Sequence, residues 1–262
     1  MTKKQSATAI IFHGLVYRSL KYTVKSLNEN LIRPLRELGE VDLYFHSWKT
    51  DSIFNPRAGE KQIELDCTEI TRLLPEARGL TELQDVFDAS LNWELLFANN
   101  PMRACTNSET AAKVTLMNLL RALESQQRAW QYFVTVKDRN YERVIATRAD
   151  LRFLNKFQLP ELSEGGALRE GELHVPAFHP SGGVNDRFVL GGEREIEIWS
   201  SRKDFAAGWI FSSKRQSTEW NLKSWLEYNN IQVKFLSLLF QRLRADGTIA
   251  RFDREFKNER LL

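Results

Sequence analysis

The stretch Val144-Ile145-Ala146-Thr147-Arg148-Ala149-Asp150-Leu151-Arg152-Phe153 is an apolar run that ends abruptly on an arginine and a carboxylate. Open α/β sheets meet their ligands at the carboxyl ends of strands, which puts Arg148 and Asp150 where a ligand arrives. A second polar cluster, Gly182-Gly183-Val184-Asn185-Asp186-Arg187-Phe188, adds another acid and another guanidinium. Two acids and two arginines suit a bound sugar diphosphate. Cations neutralise the phosphates, and a carboxylate can hold a divalent ion or take a proton.

Other residues extend this set. The first loop, His13-Gly14-Leu15-Val16-Tyr17-Arg18, has a single glycine, and neither G-x-G-x-x-G nor G-x-x-x-x-G-K-[ST] occurs anywhere. A backbone cradle for phosphate is therefore not expected, and charge neutralisation falls to side chains. The candidates are Arg18, Arg103, Lys113 and Arg148, with Asp150 as the ligand for magnesium or manganese. Asp186 is the first choice for a general base and Glu219 the second. Each has a plain structural reading as well. Arg148 and Asp150 read equally as an ion pair, Asn185-Asp186 as an Asx turn, and Glu219 as an acid complementing a helix dipole. Arg18 and Arg103 taken singly read as surface residues. His13, His46, His174 and His179 show no zinc spacing, so His13 is of interest only through its place beside the first loop. Trp48 is a candidate stacking platform.

These residues need elements to hold them. Ala7 to Phe12 reads as a buried strand. Leu20, Val24, Leu27, Leu31, Leu35 and Leu38 follow on one helical face, with Pro34 kinking or restarting the helix before Gly39. Val41, Leu43 and Phe45 then alternate with Asp42, Tyr44 and His46, the period of a strand with two unlike faces. Strand, helix and strand in this order predict a parallel pair. Residues 51 to 101 have weak periodicity and read as loops and short helices beside the sheet. Thr106 and Glu109 form a capping box for a long helix whose apolar face is Leu116, Leu120, Leu123, Trp130 and Val134. Strands follow at 171–178, 188–190 and 231–235, with helices at 193–201 and, capped by Ser217, through Trp220 to Leu226. Gly182 and Gly183 permit a close approach of backbone to ligand.

The chain of 262 residues, with 42% hydrophobic and 27% charged residues, has a globular composition and reads as one domain over 1–262. A net charge of +3 lacks the basic excess of a dedicated nucleic-acid binder, so no nucleic-acid partner is expected. Cys67 and Cys105 form no metal or disulfide pattern, which fits a reducing compartment. No apolar run approaches the roughly 20 residues of a transmembrane span, so a cytoplasmic protein is expected.

Taken together, Phe12-His13-Gly14-Leu15-Val16-Tyr17-Arg18, Val41 to Trp48, Asn100-Pro101-Met102-Arg103-Ala104, Arg148-Ala149-Asp150-Leu151-Arg152-Phe153 and Asn185-Asp186-Arg187-Phe188-Val189-Leu190-Gly191 resemble a group of GT-A-like glycosyltransferases. These occur in polysaccharide and lipopolysaccharide loci and in large viruses of algae. The resemblance implies a single GT-A-like (Rossmann-like) α/β domain, a mostly parallel central sheet flanked by helices. It implies transfer of a sugar from a UDP-, GDP- or CDP-sugar donor to a hydroxyl of a glycan acceptor. His13, Gly14, Arg18, Arg103, Lys113, Arg148, Asp150 and Asn185 would hold the donor, and Asp186 would face the acceptor. Asp150 matches one acid of a D-x-D motif, the element that contacts a Mn2+ or Mg2+ ion and the donor. Arg148 stands where the other acid would be, which leaves a metal-independent mechanism open. A sugar-phosphate nucleotidyltransferase lacks its glycine- and lysine-rich opening loop here. A carbohydrate- or single-strand-binding module would rest on Trp48 and other aromatics.

Overall fold

Residues 6–55, 58–98, 109–160, 168–178, 182–206, 218–251 and 253 are described by the computed structural model. The first strand, β1 (Ser6–His13), sends alternate side chains into two separate cores. Ile10 and Phe12 pack into one, and Ala9 and Ile11 into the other. An apolar run without polar alternation therefore becomes a strand covered on both faces.

After a short 3-10 turn (Val16–Arg18) the chain forms α1 (Leu20–Leu27), a π turn (Asn28–Ile32) and α2 (Arg33–Arg36). Pro34 restarts the helix as expected. It has no amide for the carbonyl of Asn30, which instead accepts the Phe157 amide at 2.7 Å. Leu20, Leu27, Leu31 and Leu35 are buried, whereas Leu38 lies beyond the helix and is exposed.

β2 (Gly39–Lys49) runs parallel to β1, with Ile10 opposite Leu43. Its two faces are less unlike than the alternation suggests, because Leu43 to Trp48 are all buried. The polar members find partners inside: the Tyr44 hydroxyl meets Tyr141 at 2.6 Å.

The expectation of loops and short helices for 51–101 is corrected in part. α3 (Glu69–Leu73), α4 (Gln84–Ala89) and α5 (Trp93–Ala98) are present, but so are a hairpin of β3 (Ser52–Asn55) with β4 (Glu60–Glu64) and a sheet strand, β5 (Arg78–Leu83), parallel to β2. As an edge strand with half-exposed, mostly unbranched residues, β5 has neither alternation nor an apolar run to announce it.

The long helix α6 (Glu109–Val136) delivers the chain to β6 (Arg143–Arg148), which pairs parallel with β1. Then come β7 (Leu151–Phe153), β8 (Glu172–Pro176), β9 (Phe188–Gly191), α7 (Glu193–Ser200), α8 (Thr218–Tyr228), β10 (Gln232–Leu236) and β11 (Phe240–Arg242). The apolar face of α6 differs from the expected one at its end. Phe133 is buried and Val134 is exposed, because the helix period of 3.6 drifts off a strict seven-residue count from Leu120.

Among the described residues, seven strands form the central sheet in the order β10-β8-β9-β6-β1-β2-β5, of which only β9 runs antiparallel to its neighbours. Residues of α1, α2, β7 and β11 cover one face, and residues of α6, α7 and α8 the other. This is the expected α/β class, a mostly parallel sheet flanked by helices. Among the described residues, no helix is long and apolar enough to cross a membrane.

Candidate functional site

Because β9 is reversed, its amino end lies on the same edge of the sheet as the carboxyl ends of β1 and β6. His13 pairs in register with Arg148, and Thr147 with Phe188. The Arg148 amide bonds the carbonyl of Arg187 at 3.2 Å, joining the two polar clusters of the sequence.

The two-residue turn between β6 and β7 is closed by its own charges. Arg148 donates from Nε to Oδ1 of Asp150 at 2.8 Å and from Nη2 to Oδ2. Asp150 lies inside this pair: its side chain is 5% exposed, that of Arg148 33%. Behind it, Nη1 of Arg18 is 3.6 Å from Oδ2, and Arg18 is itself gripped bidentately by the buried Glu60. The turn is anchored through its backbone as well, since Thr23 Oγ1 donates to Ala149 O at 2.7 Å and the Leu243 amide to Asp150 O at 2.8 Å. Burial works to raise the Asp150 carboxyl, but Arg148 first, then Arg18 and Arg242, hold it well below the usual carboxylate range.

On β1, the His13 ring packs 5.5 Å from that of Trp199. Burial, reinforced by Arg148 and Arg202, pulls its pKa down to about 3, so it is neutral at pH 7. Gly14 has φ +97°, which L side chains rarely adopt, and a Cβ there would meet nothing within 4 Å. Its amide donates to Ser125 Oγ of α6 at 2.6 Å, and its carbonyl accepts the Trp48 amide at 3.0 Å.

The second cluster is split in role. The Asn185 amide group is spent on backbone, donating to Phe178 O at 2.9 Å and accepting the Arg187 amide at 3.0 Å, an Asx turn. Asp186 lies 3.7 Å from Arg187 Nη1 and accepts a hydrogen bond from the Thr218 side chain. Burial opposes ionisation of Asp186, yet Arg187 and Arg202 hold it below its ordinary value. Glu219, in the first turn of α8, is 3.1 Å from Arg187 Nη2. The close approach expected of Gly182 and Gly183 is made to α8: a Cβ on Gly183 would fall on the Glu219 carbonyl, and Val184 N donates there at 3.0 Å.

Arg202, Arg242 and Arg244 were not singled out from the sequence. Arg202 is 1% exposed, lies 5.0 Å over the Trp199 ring, and has no partner for Nε or Nη1. Burial brings its pKa down to about 10 against the pull of Asp186 and Glu219. The sequence carried little signal for it, since Arg202 lies in the turn just past the end of α7 at Ser200. Arg242 is bonded to Asp253 at 2.6 Å. The pKa of Arg244 is brought down to about 10 by burial and then by Arg18.

The remaining candidates lie elsewhere. Lys113 is half-exposed on α6, 3.1 Å from Glu109. Ser125, which touches Gly14, is twelve residues further along α6, about 18 Å at 1.5 Å per residue. Arg103, Cys105, Thr106, His179 and Ser217 fall outside the described residues. Trp48 is buried, donates to Arg121 O at 2.9 Å and stacks on Phe87, so it offers no open face. For a divalent cation the donor set fits poorly. Both oxygens of Asp150 are engaged by Arg148, and among the described residues no three His, Cys, Asp or Glu side chains group around a common point.

No protein-family model matches the chain, and no curated protein matches it in sequence. Among solved structures it is similar to the apo form of the glycosyltransferase GlyE of Streptococcus pneumoniae, at 12% identity and TM-score 0.36 over 88% of this chain. It spans only 45% of that protein's chain. It is also similar to the galactosyltransferase LgtC in complex with donor and acceptor sugar analogs, at 11% identity and TM-score 0.42, over 86% of this chain and 72% of that one. An active-site mutant of LgtC gives 12% identity and the same TM-score and coverage.

Proposed function

We propose that this protein is a glycosyltransferase of the GT-A-like type, reading residues 1–262 as one catalytic domain. It moves a sugar from a nucleotide-sugar donor to a hydroxyl of a glycan acceptor. The observation that carries the reading is the meeting of Arg148 and Asp150 with Asp186 and Arg187 on the carboxyl edge of the parallel sheet, beside His13 and the open space over Gly14.

In this reading Arg148 faces the diphosphate. The hydroxyl oxygen of the acceptor bonds to the anomeric carbon, the bond from that carbon to the diphosphate oxygen breaks, and its electron pair leaves with the nucleotide. Arg148 stabilises the charge that develops there. Asp150 fixes the guanidinium in one orientation, and Arg18 backs the pair. Asp186 takes the acceptor proton or binds the acceptor hydroxyl, with Glu219 the second candidate. Asn185 serves the site by shaping the turn that presents Asp186. His13, being neutral, offers a hydrogen bond but no charge.

Calorimetric titration with UDP-, GDP- and CDP-sugars tests this. Binding of one nucleotide class, weakened at least tenfold by Arg148→Gln, is the expected result. Absence of heat from every donor, with and without manganese, would falsify it.

A further inference from the structure

We propose that the guanidinium of Arg148, backed by Arg18 and Arg242, takes the place of a divalent cation at the diphosphate, so that this chain binds its nucleotide without metal, an inference resting on the glycosyl-transfer reading above.

Three observations carry it. First, the order of the charges is inverted relative to a cation site. A ligand arriving from solvent meets Arg148, whose side chain is 33% exposed, before Asp150 at 5%. Arg148 spends Nε and Nη2 on Asp150 and keeps Nη1 outside that grip.

Second, a metal ion would need carboxylate oxygens, and the acids of this edge are committed to arginines. Asp150 is held by Arg148, Glu60 by Arg18, Asp253 by Arg242, and Glu219 by Arg187, which also lies 3.7 Å from Asp186. Magnesium and manganese bind through hard oxygen donors. An ion entering here would have to displace a bidentate guanidinium to reach its first ligand.

Third, the balance of charge favours an anion. Among the described residues, six arginines, Arg18, Arg148, Arg187, Arg202, Arg242 and Arg244, surround the five acids Glu60, Asp150, Asp186, Glu219 and Asp253. The surplus lies around Asp150, where Arg244 feels Arg18 and Arg242 as well as the acids. A diphosphate answers that surplus, whereas a divalent cation adds to it.

The decisive experiment titrates uridine, guanosine and cytidine diphosphates in turn by calorimetry, in EDTA and in excess manganese. The wild-type dissociation constant for the diphosphate that binds should agree within about twofold between the two conditions. Arg148→Asp puts a second carboxylate two residues from Asp150. This variant should bind at least about tenfold more tightly with manganese than with EDTA. Arg148→Gln, which adds no charge, should lose about tenfold in EDTA and regain nothing from manganese. Wild-type binding that disappears in EDTA overturns the inference and leaves the glycosyl-transfer reading standing. Arg148→Gln binding as tightly as wild type in EDTA overturns the inference and also takes Arg148 off the diphosphate in that reading. No binding of any diphosphate under either condition overturns both.

Discussion

The hydroxyl of Ser125 lies 2.7 Å from Nδ1 of His46, buried between α6 and β2. Glu82, whose carboxyl its partners hold below the usual range, can only accept, so the one proton of the neutral ring sits on Nε2, and Nδ1 accepts from the Ser125 hydroxyl, whose oxygen also accepts the Gly14 amide at 2.6 Å. Nε2 then donates to Glu82 at 2.9 Å. The ring is neutral, because burial pulls its pKa below the usual imidazole value in spite of Glu82. The order Ser-His-Glu has the outline of a nucleophilic relay. Ser125 is fully buried and engaged on both sides, so the chain of bonds serves to hold Gly14 in place.

Ser125→Ala therefore strands the Gly14 amide and the His46 ring at once. The expected loss is about 1–3 kcal/mol, read from urea unfolding. Glu82→Gln keeps an acceptor for Nε2 but gives up the ion pair with Arg128 at 2.6 Å, so its loss should shrink at high salt while that of Ser125→Ala should not. A Ser125→Ala loss that shrinks with salt as that of Glu82→Gln does would contradict this.

His13 makes stability depend on pH in a definite sense. Its folded pKa of about 3 lies below its unfolded value of about 6.5, so between those values the unfolded chain binds a proton that the folded chain refuses. The contribution is complete above pH 6.5 and is lost as pH falls towards 3, with a slope of about 1.4 kcal/mol per pH unit once the unfolded imidazole is charged. Chemical unfolding of wild type and His13→Gln at a series of pH values isolates it. The variant should lose one proton's worth of slope between pH 6 and 4 whatever its stability at pH 7. Parallel curves would show that His13 takes up its proton in the folded state.

The two glycines of the site should respond to alanine for different reasons. At Gly14 the space is open and only the positive φ resists, a cost of about 1–3 kcal/mol. At Gly183 the new methyl group meets the Glu219 carbonyl, so α8 must move and carry Glu219 with it. Gly183→Ala should be the more destabilising of the two and should break the Arg187–Glu219 pair. A crystal structure of the variant with α8 unmoved would contradict this.

What was legible in the sequence depended on how regular each signal was. The apolar run of β1, the leucine face through Leu20 to Leu35, and the abrupt change at Arg148 all reported a real face or edge. β5 did not, because an edge strand needs no apolar alternation, and Arg242 and Arg244, at and just after the end of β11, were invisible because Asp150 and Arg18, which they meet at the site, are distant in sequence. α6 shows the limit within a single helix, where a seven-residue count selects Val134 and the true period selects Phe133. Phe133→Ala should cost about 3–5 kcal/mol, and Val134→Ala no more than about 0.5 kcal/mol. Thermal unfolding of both variants compares them directly.

Arg202 combines burial with two unpartnered nitrogens, an arrangement that is expensive for the fold. Its nearest acids, Asp186 and Glu219, already share Arg187, so removing the charge strands neither of them. Arg202→Met keeps most of the volume over Trp199 and removes the desolvation cost, and a gain of about 1–4 kcal/mol in guanidinium unfolding is expected. The same change takes away a cation that keeps Asp186 ionised, so the Asp186 carboxyl should titrate at higher pH in the variant, as followed by carboxyl carbon NMR. Stability and proton affinity should thus rise together. A loss of stability instead would mean that the pull of Asp186 and Glu219 on Arg202 outweighs the cost of burying it.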